Sequence, residues 1–346
     1  MIRTFLISVL SLIIFFNTDG QSQIFKQDVQ YNVIVESQDD STIVTFYEVK
    51  FRNAEGEVQF YTTASQDSFL MIIKEDLAYQ PTEKSGLLFH IHGMWGGRRF
   101  NFNQAYRLMH NAYIDNDQSD IARIISLKWP GNKSKYKENK ELLYRVSDNI
   151  AEVFYGFMDD LYALQSETKS SNSGIDLIAH SLGTELFKEF VDYASRKNYL
   201  NRYFDQIVIA APDWDVDVFK IDSTLYNIQY LADRTHVYYS HRDMTLSISK
   251  NLNKQSRFGL EGPGDKLKLP NNVYAINVTE VRDEANMADL VAGHNYYRIS
   301  PIVTADMLQT FRGDNMNEYK LRKQVEGFAN IYYIDAPKKK EQEIDR

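Results

Sequence analysis

Cysteine is absent from this 346-residue chain. That absence excludes disulfides, thiolate-bound zinc and a cysteine nucleophile together, while leaving the cellular compartment open. Clusters of basic residues are also missing. The formal net charge is −8 at pH 7, and binding to a phosphate backbone needs grouped Lys and Arg, so no nucleic-acid partner is expected. The one short basic run, Lys338-Lys339-Lys340, is followed by Glu341 and Glu343. It reads as part of a solvated, charged tail over 336–346. No internal repeat occurs, and no linker rich in Gly, Pro or Ser interrupts the body of the chain.

A long apolar run is lacking too. The stretch from Phe5 to Phe16 falls short of the roughly 20 apolar residues that a membrane span requires. It follows Arg3 and precedes the small residues Thr18 and Gly20. That is the build of a secretory signal peptide over 1–20, with cleavage expected after Gly20. The expectation is export to the periplasm or the exterior. Membrane contact follows only if this segment is retained as an anchor.

Beyond the leader, "VQYNVIVES", "TIVTFYEVKFR" and "EVQFYTT" alternate apolar with polar residues, and Gly56 marks a turn. They predict antiparallel strands at one edge of a sheet. The pattern then changes. "GLLFHIHG", "IARIISLKWPG", "IDLIAHS", "QIVIAAPDWD", "THVYYSHRD" and "NNVYAINVTE" are compact apolar runs. Helical spacing separates several of them, as in "FNQAYRLMHNAYI" and "KELLYRVSDNIAEVFYGFMDDLYALQ". Buried strands alternating with helices predict βαβ units. The fold expected is α/β, one doubly wound and mostly parallel sheet over 21–335, with helices on both faces.

The corner "IAHSLGTELF" carries the chemistry. Ser181 stands where an apolar strand gives way to a helix, and ligands of open parallel sheets sit beyond such strand ends. A nucleophile there needs a tight strand-to-helix turn with small neighbours, and Ala179 and Gly183 supply them. The helix start offers free N–H groups to a developing negative charge, with Leu182 N–H as one donor. The alternative is that Ser181 only caps the helix.

Together with "IHGMWGG", "LKWPG", "AAPDWDVDVF", "VYYSHRDMTLSIS" and "AGHNYY", this corner resembles the α/β-hydrolase superfamily, in detail a poorly characterised bacterial group within it. The pieces run in the superfamily's order from about residue 86 to 300. The resemblance implies Ser181 as nucleophile, Asp243 as acid and His294 as base. It implies a second oxyanion donor at Gly93 or Met94. It calls for no cofactor and no metal.

Alternatives stand beside these assignments. Asp243 is also placed to cap the helix "MTLSISKNL". Asp213 and Asp215 are rival acids, since some members carry the acid after the preceding strand. His241 is a rival base, too near Asp243 in sequence to be its easy partner. His90, inside a strand, reads as structural. The glycines near 93–97 lack a GK[ST] ending, which argues against a nucleotide loop.

Trp95, Trp129 and Trp214 each fall just past a core strand. They are expected to wall a substrate cleft, or else to lid the core. Arg98 and Arg99 are candidates to hold an anionic group. The function implied is a secreted serine hydrolase acting on a small-molecule or lipid-like ester through an acyl-enzyme. The alternative is an inactive binding protein of the same fold in the cell envelope.

Overall fold

The computed structural model describes residues 29–38, 42–52, 58–78, 84–94, 99–131, 133–168, 174–197, 200–264, 268–283 and 293–336. The expected leader over 1–20, Gly56, Trp95, Arg98, the side chain of Arg99 and the tail from 337 lie outside the described residues.

Strands β1 (Gln30–Ser37), β2 (Ile43–Arg52) and β3 (Val58–Thr63) form the expected antiparallel meander. Helix α1 (Gln66–Ala78) follows, and the sequence reading had no element there. Next come β4 (Gly86–Ile91), α2 (Arg99–Met109), which runs into a π-helical turn at His110–Ile114, and β5 (Ile121–Lys128). The long α3 (Tyr136–Thr168) leads to β6 (Ile175–His180), α4 (Gly183–Arg196) and β7 (Phe204–Ala210). A 3-10 turn at Thr224–Tyr230 precedes β8 (Ala232–Tyr239), α5 (Met244–Asn253), α6 (Phe258–Glu261) and β9 (Val273–Asn277). The chain closes with α7 (Tyr296–Ile299), α8 (Pro301–Phe311), β10 (Arg322–Gln324) and β11 (Ile331–Ile334).

Among the described residues these strands make one 11-stranded sheet in the order β10-β11-β9-β8-β7-β6-β4-β5-β1-β2-β3. β5, β4, β6, β7, β8 and β9 run parallel, and β1 joins them in parallel register with β5. The β10–β11 hairpin supplies a second antiparallel edge that the sequence reading did not foresee.

Period-2 alternation within the strands explains the layers. Phe89, Leu177, Ile209 and Val237 face one side, where α1, α3 and α4 pack. Leu88, Ile178, Val208 and Tyr238 face the other, under α2, α8 and the start of α5. Because both faces are covered, the core strands are mostly apolar on both sides rather than strictly alternating, with buried polar residues such as Arg123, Asp176 and His236 among them. Phe154 of α3 joins the layers on its side, stacked on Phe89 at 4.7 Å and meeting Phe190 of α4 at 4.5 Å.

The segment 218–233 is a crossover, not a cap. Its Leu225 and Ile228 are buried in the same core as α4. The topology places one crevice. From β4 the chain steps outward to β5, then returns across β4 to β6. The C-terminal ends of β4 and β6 therefore diverge at a switch point, where open α/β sheets hold ligands.

Candidate active site

Ser181 follows the last residue of β6 with φ of 53°. A side chain in left-handed backbone is strained, and the surroundings hold it there. Its N–H donates to Ala210 O at 3.0 Å, tying the turn to β7. Its C=O accepts from Thr184 N–H at 3.0 Å and Thr184 Oγ1 at 2.6 Å. Two glycines let the corner close. A Cβ on Gly183 would collide with the carbonyl of His92 at the end of β4, and a Cβ on Gly93 would stand 2.8 Å from Ser181 Cβ.

The side chain of Ser181 meets two of the sequence candidates. Its Oγ lies 2.9 Å from His294 Nε2, and His294 Nδ1 lies 2.6 Å from Asp243 Oδ2. A carboxylate only accepts, so Nδ1 carries the proton and Nε2 presents its lone pair to the serine hydroxyl. Asp243 is fully buried. Its other oxygen, Oδ1, accepts from Leu246 N–H at 2.8 Å and caps α5. One carboxylate thus both pairs with His294 and caps α5.

The rival residues are engaged with other partners. Asp213 accepts from Tyr136 Oη and Ser249 Oγ and faces Arg257 Nε at 3.5 Å. Asp215 turns back to accept from Asp217 N–H at 3.0 Å. His241 Nδ1 donates to Leu260 O at 2.9 Å. None of these bonds reaches His294 or Ser181. His90 is buried in β4, near Tyr297, and burial pushes its basicity well down, so it stays neutral.

A cavity of about 320 Å³ opens over Ser181 and His294. Leu182, Gly93 and Met94 line it, with Tyr136, Asp213, Ser249 and Arg298 further round. Leu182 is the N-cap of α4 and receives no side-chain cap. The Gly93 backbone lies against Ser181 Cβ, so both expected donor segments border the serine.

The tryptophan expectation is corrected. Trp129 and Trp214 are 1% and 0% exposed, and neither lines the cavity. Trp95 lies outside the described residues. Each indole finds more apolar contact inward than at the rim: Trp214 packs edge-on to Phe219, whose ring meets Phe258 in turn. Trp129 braces the other side of the site. Its ring stacks on His92 at 5.4 Å, and its Nε1 donates to His92 O at 2.7 Å. His92 in turn donates from Nδ1 to Gly93 O at 2.7 Å. Burial pushes the His92 imidazole down to about 4, so it serves as a neutral spacer under the Gly93 turn.

Sequence reasoning passed over His92, His180, Tyr136 and Arg298. His180 Nε2 donates to His294 O at 3.1 Å, and its ring stacks on Tyr297 at 4.5 Å. It thereby holds the loop that carries His294. Its position beside the corner serine was the one available signal. Tyr136 and Ser249 reach the cavity from remote helices and left none.

Among the described residues no group of His, Asp or Glu is arranged to hold a metal ion. No described helix is long and apolar enough to cross a membrane.

No curated protein matches the chain. Among solved structures, the phospholipase PlaB from Legionella pneumophila in complex with thio-NAD is similar at 11% identity and a TM-score of 0.27. The match covers 64% of this chain and 44% of that one, so this chain spans less than half the length of that phospholipase. So slight a likeness carries neither fold nor function. The family described as "Alpha/beta hydrolase of unknown function (DUF900)" matches residues 66–312, from α1 through α8 and across the whole Ser181–His294–Asp243 constellation. With that span matched and the sheet order above, the chain belongs to this α/β-hydrolase family.

Proposed function

We propose that the protein is a serine hydrolase that cleaves carboxylic esters through an acyl-enzyme on Ser181. One observation carries the reading: the hydrogen-bonded chain from Ser181 Oγ through His294 to Asp243, at 2.9 and 2.6 Å, on a strained turn at the floor of a cavity. A serine used only as a helix cap has no need of a histidine whose tautomer is fixed by a buried carboxylate.

In the reaction, His294 Nε2 takes the hydroxyl proton as Ser181 Oγ attacks the ester carbonyl. Asp243 Oδ2 stabilises the imidazolium that forms. The carbonyl oxygen gathers negative charge between Leu182 N–H and the backbone at Gly93–Met94. His294 then gives its proton to the departing alkoxide. Water, deprotonated by the same Nε2, attacks the acyl group and frees Ser181. No cofactor or metal enters this sequence. The leader over 1–20 fits a periplasmic or extracellular site of action.

The test is labelling of the purified protein with a fluorophosphonate probe, with the modified residue located by mass spectrometry. Modification at Ser181, lost in His294→Ala, is the expected result. A folded protein that stays unmodified at neutral pH would overturn the hydrolase reading and favour a binding protein in the same cavity.

A further inference from the structure

Arg298 lies in α7, four residues beyond His294, and its side chain lines the cavity over Ser181. It is the only Lys or Arg among the described residues that do so. Arg298 is half-buried, and the arginines that are fully buried among the described residues each face a carboxylate: Arg123 meets Asp76, Arg257 meets Asp213 and Arg322 meets Asp306. Among the described residues, Arg298 meets no carboxylate. Its Nη2 donates to the neutral Asn295 Oδ1 at 3.0 Å, and its guanidinium carbon sits 5.4 Å from the centre of the Tyr297 ring. Its Nε is buried and has no hydrogen-bond partner.

The negative charges nearby are already engaged. Asp243 is held by His294, and Asp213 by Tyr136, Ser249 and Arg257. His92 and His180 are kept neutral, chiefly by burial, and the positive charge of Arg298 lowers both further. Of the Asp, Glu, Lys and Arg side chains that line the cavity, Asp213 faces Arg257, while Arg298 faces no carboxylate among the described residues. A guanidinium held by the Asn295 amide oxygen and the Tyr297 side chain, with a buried Nε–H that has no acceptor, has donor capacity to spare for a two-oxygen anion.

We propose that Arg298 is a specificity residue, which binds a carboxylate or phosphate group borne by the ester that Ser181 attacks. The substrates are then anionic esters, not neutral ones. This rests on the ester-hydrolase reading for the bond that is cut, but anion recognition itself needs no turnover.

The experiment separates the two. In the full chain carrying Ser181→Ala, binding of 4-acetoxybutanoate, 3-acetoxypropyl phosphate and 4-acetoxybutanamide is measured by calorimetry. At least one anionic ester is expected to bind on the order of 10-fold tighter than the carboxamide, the usual scale of a charge-assisted hydrogen bond. Preference between carboxylate and phosphate identifies the natural group. Adding Arg298→Gln should close the gap, and Arg298→Lys should keep part of it. The readout is the gap, with circular dichroism checking that each variant is folded. Equal binding of all three esters, no binding of either anion, or a gap that survives Arg298→Gln would overturn the inference. The expected gap, with no hydrolysis of any of the three by the unmutated chain, would overturn the hydrolase reading alone.

Discussion

Replacing Gly93 by alanine tests the closure of the site most directly. The new Cβ would stand 2.8 Å from Ser181 Cβ and 2.9 Å from His180 Nδ1. Ordinary carbon contacts lie at about 3.5–4.0 Å, so something must retreat by roughly 0.7–1.2 Å. Ser181 cannot yield easily, because its backbone is pinned to Ala210 on one side and Thr184 on the other. His180 is held by its bond to His294 O and by stacking on Tyr297. If Ser181 moves, its 2.9 Å bond to His294 stretches toward breaking. If instead the Gly93 turn moves, the backbone proposed as an oxyanion donor is misaimed. Either displacement costs about 100-fold in rate, or roughly 2.7 kcal/mol of transition-state stabilisation. The stability cost is that of overpacking, about 1–3 kcal/mol.

The assay is the second-order rate of fluorophosphonate modification of Ser181, with thermal melting run alongside. Gly156→Ala is the control. Gly156 lies within α3 with open space where a Cβ would go. Alanine there should leave the labelling rate alone and raise stability by about 0.5–1 kcal/mol. A Gly93→Ala protein that labels within about threefold of the unmutated rate would refute the argument from steric closure.

Other outcomes follow from the same geometry. Asp243→Asn should slow Ser181 labelling by on the order of 10⁴-fold, since an amide no longer fixes the His294 tautomer. Asp213→Asn should leave labelling nearly intact but cost about 3 kcal/mol in denaturant unfolding, because Arg257 loses its buried counter-charge. The reverse ranking would make Asp213 the acid. Stability should fall in mild acid. His92 has a folded-state pKa lowered to about 4, so below pH 6.5 the unfolded chain takes up a proton that the folded one refuses. The loss begins near pH 6.5, is complete near pH 4, and amounts to about 3 kcal/mol from His92 alone. His90, His180 and His236, also held neutral chiefly by burial, push in the same direction. Urea melts at pH 7 and pH 5 check this, and unchanged midpoints would contradict it. Trp129→Phe removes the indole bond to His92 O while keeping most of the stack. It should slow labelling by about 10-fold with unaltered substrate preference, whereas a shift in acyl-chain preference would return Trp129 to the cleft wall.

The central strands were legible in the sequence because burial on both faces writes them as compact, mostly apolar runs. The serine corner was legible because tight closure demands small residues at fixed offsets, and Gly183 obeys that demand. What the sequence hid was inward or outward direction. Trp129 and Trp214 sit at strand ends as expected, but position along a strand does not say which way an indole turns. Their large apolar surface favours the interior, where Trp129 also finds an acceptor in His92 O. Helix α1 was missed since it follows directly on a strand, with Ser65 receiving Ser68 N–H at 3.2 Å and Asp67 in the first turn as its start signals. Hairpin β10–β11 was missed because its strands are three and four residues long. Arg298 was missed for a different reason: a charge looks alike in sequence whether or not a carboxylate waits beside it.

β6 is the sixth strand of eleven in the sheet, with five neighbours on each side. Opening events begin at edges and work inward, so short β10 and the antiparallel meander are the first to exchange their amide protons. Ser181 then reports on the last part of the molecule to open. A chain that has frayed at both margins still keeps the Ser181 turn, because that turn is anchored to β6 and β7 at the centre of the sheet.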